Sequence, residues 1–368
     1  ASMKPYVAEQ LPPVLTAANG EKIVSAAQWE QLRRPEILRI FEREVFGQAP
    51  ACPDDLTVTL AAHNPRALDG SAVLDEYEIS FSGPFGKFAF PFALFLPQGE
   101  GPFPATLLIC NRDKAENMDL TRVRRTGFWP VESIVRRGYA ACAFYVGDVD
   151  TDEDDGSVHG VQPVFTPERG PHDWATIAAW AWGAMRVMDA LELDARIDKA
   201  HVAVVGQSRG GKTSLWCAAR DPRFWAIYSS NSGCVGTALS HFKDGETLRQ
   251  INEVFPYWFC GAFKKYNDRE AELPFDQHQL MACVAPRLLY VSASTLDDWA
   301  DPEAEFLGTK LAGCAWKLYG KETLPFDAVA EPDRPLTSEC MGFHNRSGEH
   351  DLTEIDWMHF LDFLDRRK

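Results

Sequence analysis

The stretch His201-Val-Ala-Val-Val-Gly-Gln-Ser-Arg-Gly-Gly-Lys212 holds the residue types in this chain best suited to chemistry. Val202 to Val205 read as a short buried strand, and Gly206-Gln207-Ser208-Arg209-Gly210 follows with G-x-S-x-G spacing. A serine on a sharp strand-to-helix turn needs neighbours without a Cβ two positions before and after, where the backbone crowds. Thr213 to Arg220 contains no Gly or Pro and has good helix composition, so a helix is expected next. Its first turn would aim N–H groups at the serine, where an oxyanion can be held. A glycine-rich turn with an incidental serine would need neither the strand before nor the helix after. The pattern therefore points to acyl transfer with Ser208 as nucleophile, beside the cations Arg209 and Lys212.

A serine nucleophile needs a base to take its proton and an acid to orient that base. On an α/β-hydrolase scaffold the chain order is Ser, then Asp/Glu, then His. Only His344, His350 and His359 lie late enough. His359 falls inside the closing helix expected over 351–366. His344 and His350 share the expected loop that begins at Met341. His350, after a glycine-containing turn and just before the closing helix, is the expected base, with His344 packing on the site wall. For the acid, the loop after the strand ending at Ala293 offers Asp297, Asp298 and Asp301; Asp297 is preferred and Asp298 is second.

The surrounding elements must place these groups at one end of a sheet. Alternating stretches at 56–60, 74–81 and 88–96 suggest an antiparallel meander. A helix is expected over 26–46, broken or restarted at Pro35. After Pro104 the character changes to continuous apolar strands (105–110, 139–145, 202–205, 225–229, 287–293) alternating with helices, the longest over 173–193. Ala315-Trp-Lys-Leu-Tyr319 reads as a final strand. The fold class is α/β, with a three-layer αβα sandwich, a mostly parallel central sheet and an antiparallel N-terminal edge. One catalytic domain over 1–368 is expected, with a helical and meander extension over about 1–100.

The net charge is −16, from 37 basic and 53 acidic residues, which argues against nucleic acid and anionic membranes as partners. No apolar run reaches 18 residues. The start Ala1-Ser-Met-Lys-Pro-Tyr6 lacks the layout of a secretory signal; Ala1-Ser2 reads as a cloning remnant ahead of a natural start at Met3, the alternative being a signal trimmed before expression. Nine cysteines without C-x-x-C spacing read as free buried thiols rather than a zinc site, so no metal is expected. The acidic run Gly147-Asp-Val-Asp-Thr-Asp-Glu-Asp-Asp-Gly156 reads as a solvated loop, since its spacing departs from a calcium-binding loop.

Several separate stretches then carry a family resemblance. They are Gly206-Gln-Ser-Arg-Gly-Gly-Lys212 as G-x-S-R-x-G-K, Asp173-Trp-Ala-Thr-Ile-Ala-Ala-Trp-Ala-Trp-Gly183, Asn231-Ser-Gly-Cys234, Leu273-Pro-Phe-Asp-Gln-His278 with Ala285-Pro-Arg287, Asp298-Trp-Ala-Asp-Pro302 and Gly348-Glu-His-Asp351. In these the chain resembles the bacterial glucuronoyl esterases, carbohydrate esterase family 15, over about residues 20 to 368. The resemblance implies a serine esterase cleaving the ester between (4-O-methyl)-glucuronate of glucuronoxylan and lignin alcohols. It implies Ser208 as nucleophile, His350 as base, Arg209 as oxyanion donor, Lys212 binding sugar hydroxyls and Trp299 lining the uronate pocket. No cofactor is implied.

Two departures stand out. Many members carry the triad glutamate where this chain has Asn231, so the duty is expected to pass to Asp297. Further sugar contacts fall between about 240 and 275, with Glu253 chosen and Glu246 and Asn252 as other candidates. The competing readings are an acetyl-xylan or other carbohydrate esterase, and a catalytically weak carbohydrate-binding relative. A monomer is expected. The polymeric substrate favours a secreted or periplasmic location, whereas the cysteines would fit the cytoplasm.

Overall fold

Alternating apolar residues in the first third of the chain produce three long antiparallel strands, β1 (Thr57–Ala67), β2 (Ala72–Gly83) and β3 (Gly86–Pro97). The computed structural model describes residues 8–368, so the reading of Ala1 to Tyr6 lies outside the described residues. The meander joins the rest of the sheet directly, because β3 pairs antiparallel with β5 (Ala140–Tyr145). The other strands are β4 (Phe103–Cys110), β6 (Ile197–Gln207), β7 (Ala226–Ser230), β8 (Leu288–Ser294), β9 (Leu336–Thr337) and β10 (Met341–Arg346). Their order across the sheet is β1-β2-β3-β5-β4-β6-β7-β8-β10-β9. From β5 through β10 every neighbouring pair is parallel; β9 closes that edge antiparallel to β10. The result is the α/β-hydrolase sheet with an antiparallel N-terminal edge.

The parallel strands are buried along most of their length because both faces are covered. Successive residues of β7 show this. Tyr228 packs on Phe360 of the closing helix Glu354–Asp365, with ring centroids 4.8 Å apart. Its neighbour Ser229 points the other way, donating to the Gly211 carbonyl of the helix Arg209–Arg220 at 2.8 Å. Among the described residues no helix is long and apolar enough to cross a membrane, and all nine cysteines are free.

Pro35 restarts the first helix: a wide turn over Trp29–Arg33, closed by Arg34 N–H to the Trp29 carbonyl, gives way to a new α-helical segment, Arg34–Phe41. The proline falls in the first turn of that segment, where its missing N–H leaves no bond unmade. Two local expectations are corrected. Ala315 to Tyr319 is not a strand, since Cys314–Lys317 is helical and Trp316 is buried with its Nε1 donating to the Arg287 carbonyl at 2.9 Å. The final parallel strand is instead β10, taken from the segment expected to be a loop. Its residues pair in register with β8, from Met341 opposite Leu289 to Arg346 opposite Ser294.

Candidate active site

Ser208 follows β6 directly and caps the helix Arg209–Arg220, with φ 59° and ψ −125°. A non-glycine residue rarely holds a positive φ, and it persists only where the surroundings impose it. Here the Ser208 N–H is fixed to the Ser230 carbonyl of β7 at 2.8 Å. Gly206 makes the turn possible, because a Cβ there would overlap the Gly210 carbonyl. The N–H groups of Gly211 and Lys212 both turn back to the Ser208 carbonyl, while the first N–H groups of the helix have no acceptor within it. Donors and a positive helix end thus gather beside the serine hydroxyl.

The carboxyl ends of β8 and β10 bring the expected acid and the expected base together. His350 Nδ1 lies 2.6 Å from Asp297 Oδ2. Asn231, ending β7, donates from Nδ2 to the same Oδ2 at 3.0 Å and to Ser294 Oγ at 2.8 Å. Burial alone would raise the Asp297 carboxyl, but the hydrogen bonds from His350 and Asn231 outweigh it and hold Asp297 below the ordinary carboxylate range. The other two aspartates of this loop are engaged elsewhere. Asp298 faces solvent, and Asp301 caps the helix Pro302–Ala312 by accepting from Ala304 N–H at 3.1 Å.

The loop carrying His350 is built around Arg346. Its guanidinium donates to the carbonyls of Ser347, Glu349 and Asp351, to Ser294 Oγ at 2.9 Å, and to Asp356 Oδ2 at 2.9 Å. His344 is a fully buried strand residue, not a loop residue on the site wall. Its Nε2 meets Asp356 Oδ1 at 2.6 Å and its Nδ1 meets the Tyr290 hydroxyl at 2.7 Å.

Arg209 leaves the elbow towards Asp152, with which its Nη1 pairs, and lies over the rings of Phe255 and Trp258. Lys212 is buried, and its Nζ donates to the Ser232 carbonyl at 2.6 Å. Burial pushes its pKa down, with Glu246 opposing. Glu246 is itself buried, its N–H bonded to the Trp299 carbonyl at 2.9 Å, while the Trp299 side chain is exposed. Glu246 is thus tied by its backbone to Trp299 and is close enough to Lys212 to act on its charge.

Glu253 does not join them: on the helix Leu248–Val254 its carboxylate pairs with Arg249 and is 61% exposed. Asn252 is spent on Asn267 at 2.8 Å. Of the candidates between 240 and 275, Glu246 is the one beside Lys212. Spacing along the chain does not say which acidic residue turns inward, so it ranks Glu246 below Glu253 and does not single out Asp152. The acidic run is not wholly solvated, since Asp150 is buried and pushed up to about 7 by that burial, and Asp152 reaches Arg209. The amide of Asn231, which replaces an acid at this position, donates to the carboxylate expected to take over that duty.

Comparison with known proteins places the chain among esterases of one fold. A family model described as "Glucuronyl esterase, fungi" matches residues 87–320. Carbohydrate esterase MZ0003, from an unknown prokaryotic organism, is 37% identical across 96% of this chain and 89% of its own length. A solved glucuronoyl esterase from Solibacter usitatus superimposes with a TM-score of 0.91 at 35% identity, over 99% of each chain. The 4-O-methyl-glucuronoyl methylesterase of Podospora anserina is 27% identical across 85% of this chain, which spans 61% of that relative's length.

Proposed function

Because this chain belongs to the glucuronoyl esterases, and is thereby a carboxylic ester hydrolase, we propose that it cleaves esters of (4-O-methyl)-glucuronate on glucuronoxylan with lignin alcohols. The observation that carries this reading is the strained Ser208 elbow after β6, with the Asp297–His350 pair on the loops that follow β8 and β10, two and three strands away. Ser208 attacks the uronate carbonyl as His350 takes its proton. Asp297, ionised and held by two donors, orients the imidazole and balances its positive charge. The tetrahedral oxyanion is received by Arg209 and the free N–H groups of the helix start. His350 then protonates the departing alcohol and activates water to release the acid.

The substrate class is supported by Lys212, Glu246 and Trp299. A buried ammonium and a carboxylate can meet sugar hydroxyls, and the indole gives the ring an apolar face. An acetyl group would use none of these. The test is hydrolysis of benzyl glucuronate beside an acetylated sugar by the native protein and by Ser208→Ala. Selective turnover of the uronate ester, abolished by the substitution, is expected. Preference for the acetyl ester would overturn the substrate class. Binding of glucuronoxylan with no turnover of either ester would favour a carbohydrate-binding role.

A further inference from the structure

The acidic run between Gly147 and Gly156 is the chain's densest cluster of charge, yet it does not simply face water. Trp180 Nε1 donates to the Asp150 carbonyl at 2.8 Å and anchors the loop. Two residues on, Asp152 turns inward and is fully engaged. Its Oδ2 pairs with Arg209 Nη1, while its Oδ1 accepts from the Tyr257 hydroxyl at 2.7 Å and from Trp258 Nε1 at 2.9 Å. The Arg209 guanidinium centre lies 5.1 Å from the Phe255 ring centroid and 4.7 Å from that of Trp258. These two rings stack on one another at 3.6 Å. One carboxylate and one aromatic wall therefore fix a side chain that would otherwise sample many rotamers next to the nucleophile.

We propose that Asp152 is a positioning residue for Arg209: it presets the guanidinium for the developing oxyanion and balances its charge so that the acid product is released. The proposal rests on the reading of Arg209 as the oxyanion donor. Two consequences follow from elementary electrostatics. Arginine has five N–H donors, so one given to Asp152 leaves others for the substrate, already ordered before it arrives. The second consequence concerns the product. Hydrolysis turns a neutral ester into a carboxylate at the same position, and a guanidinium without a counter-charge would grip it with charge-assisted hydrogen bonds. The Asp152 carboxylate opposes that grip while leaving the neutral ester nearly unaffected.

The test is a double-mutant cycle with two readouts, turnover of methyl glucuronate and calorimetric affinity for free glucuronate. Asp152→Asn keeps an acceptor for Tyr257 and Trp258 but removes the charge, so thermal melts should show a folded protein. We expect about a tenfold lower kcat with little change in KM, and about tenfold tighter glucuronate binding, the worth of one charge-assisted hydrogen bond. In an Arg209→Ala background the same substitution should change neither readout. Equal losses in both backgrounds, or unchanged glucuronate affinity with Arg209 present, would overturn the proposal. Arg209→Ala alone decides the underlying reading: native-like turnover would remove Arg209, and Asp152 with it, from the mechanism.

Discussion

Asp297→Asn tests the proposed acid, and the structure sets how large its effect should be. In a serine hydrolase, an amide in place of the acid can present its NH2 to the histidine and trap the wrong tautomer, at a cost of about 10⁴ in kcat. Here that outcome is opposed. Oδ2 of Asp297 accepts from His350 at 2.6 Å and also from Asn231 Nδ2 at 3.0 Å. Asn231 cannot readily reverse, since its Oδ1 accepts from Ser230 Oγ at 2.9 Å and its Nδ2 donates to Ser294 Oγ. The substituted amide is therefore held with its oxygen towards His350. The tautomer survives and only the charge is lost.

Losing the charge component of such a bond costs about 1.5–3 kcal/mol, or about 10- to 150-fold in kcat. Adding Asn231→Ala to Asp297→Asn frees the amide to turn and should lower kcat by at least about tenfold more. The assay is steady-state hydrolysis of benzyl glucuronate by the native protein, both single variants and the double variant. A loss near 10⁴ for Asp297→Asn alone would refute the account of Asn231. So would a double variant no worse than the single. Undiminished turnover in Asp297→Asn would remove Asp297 from the triad.

Three further outcomes are expected. Gly206→Ala puts a methyl against the Gly210 carbonyl in a backbone-limited turn, so stability should fall by about 3 kcal/mol or more in chemical denaturation; a loss below about 1 kcal/mol would contradict the crowding. Asp150 has a folded pKa raised from 3.8 to about 7, so its stabilising contribution is complete below about pH 4 and is lost as pH rises through 7. That loss is at most about 4 kcal/mol, and Asp150→Asn should gain stability relative to the native protein between pH 4 and pH 8; a pH-independent difference would refute this. Glu246→Gln should raise KM for a glucuronate ester about tenfold, whereas Glu253→Ala, which removes an exposed pair with Arg249, should leave KM within twofold. The reverse order would return the sugar contact to Glu253.

Much of this protein is determined by local chemistry and is therefore legible residue by residue. The elbow depends on glycines flanking Ser208, the meander on period-two alternation, and the parallel sheet on apolar runs buried on both faces. His350 stood out because it precedes a helix after a glycine turn, and Asp297 because it follows the last long apolar strand. Errors fell where neighbours from distant parts of the chain decide. Ala315 to Tyr319 has strand composition, yet Trp316 is drawn into a helix packed on Arg287. Met341 to Arg346 looks like a loop until β8 offers it a full parallel ladder.

The same division runs through the site. Sequence determined which residues could attack, accept a proton and carry charge, because those capacities belong to the side chains themselves. Only the tertiary structure decided which carboxylates serve them. Glu246 rather than Glu253 lies beside Lys212, Asp152 out of an acidic run pairs with Arg209, and Asn231 braces Asp297. A carboxylate's role is set by which cation or donor lies within a few ångströms of it after folding, and separation along the chain does not encode that distance.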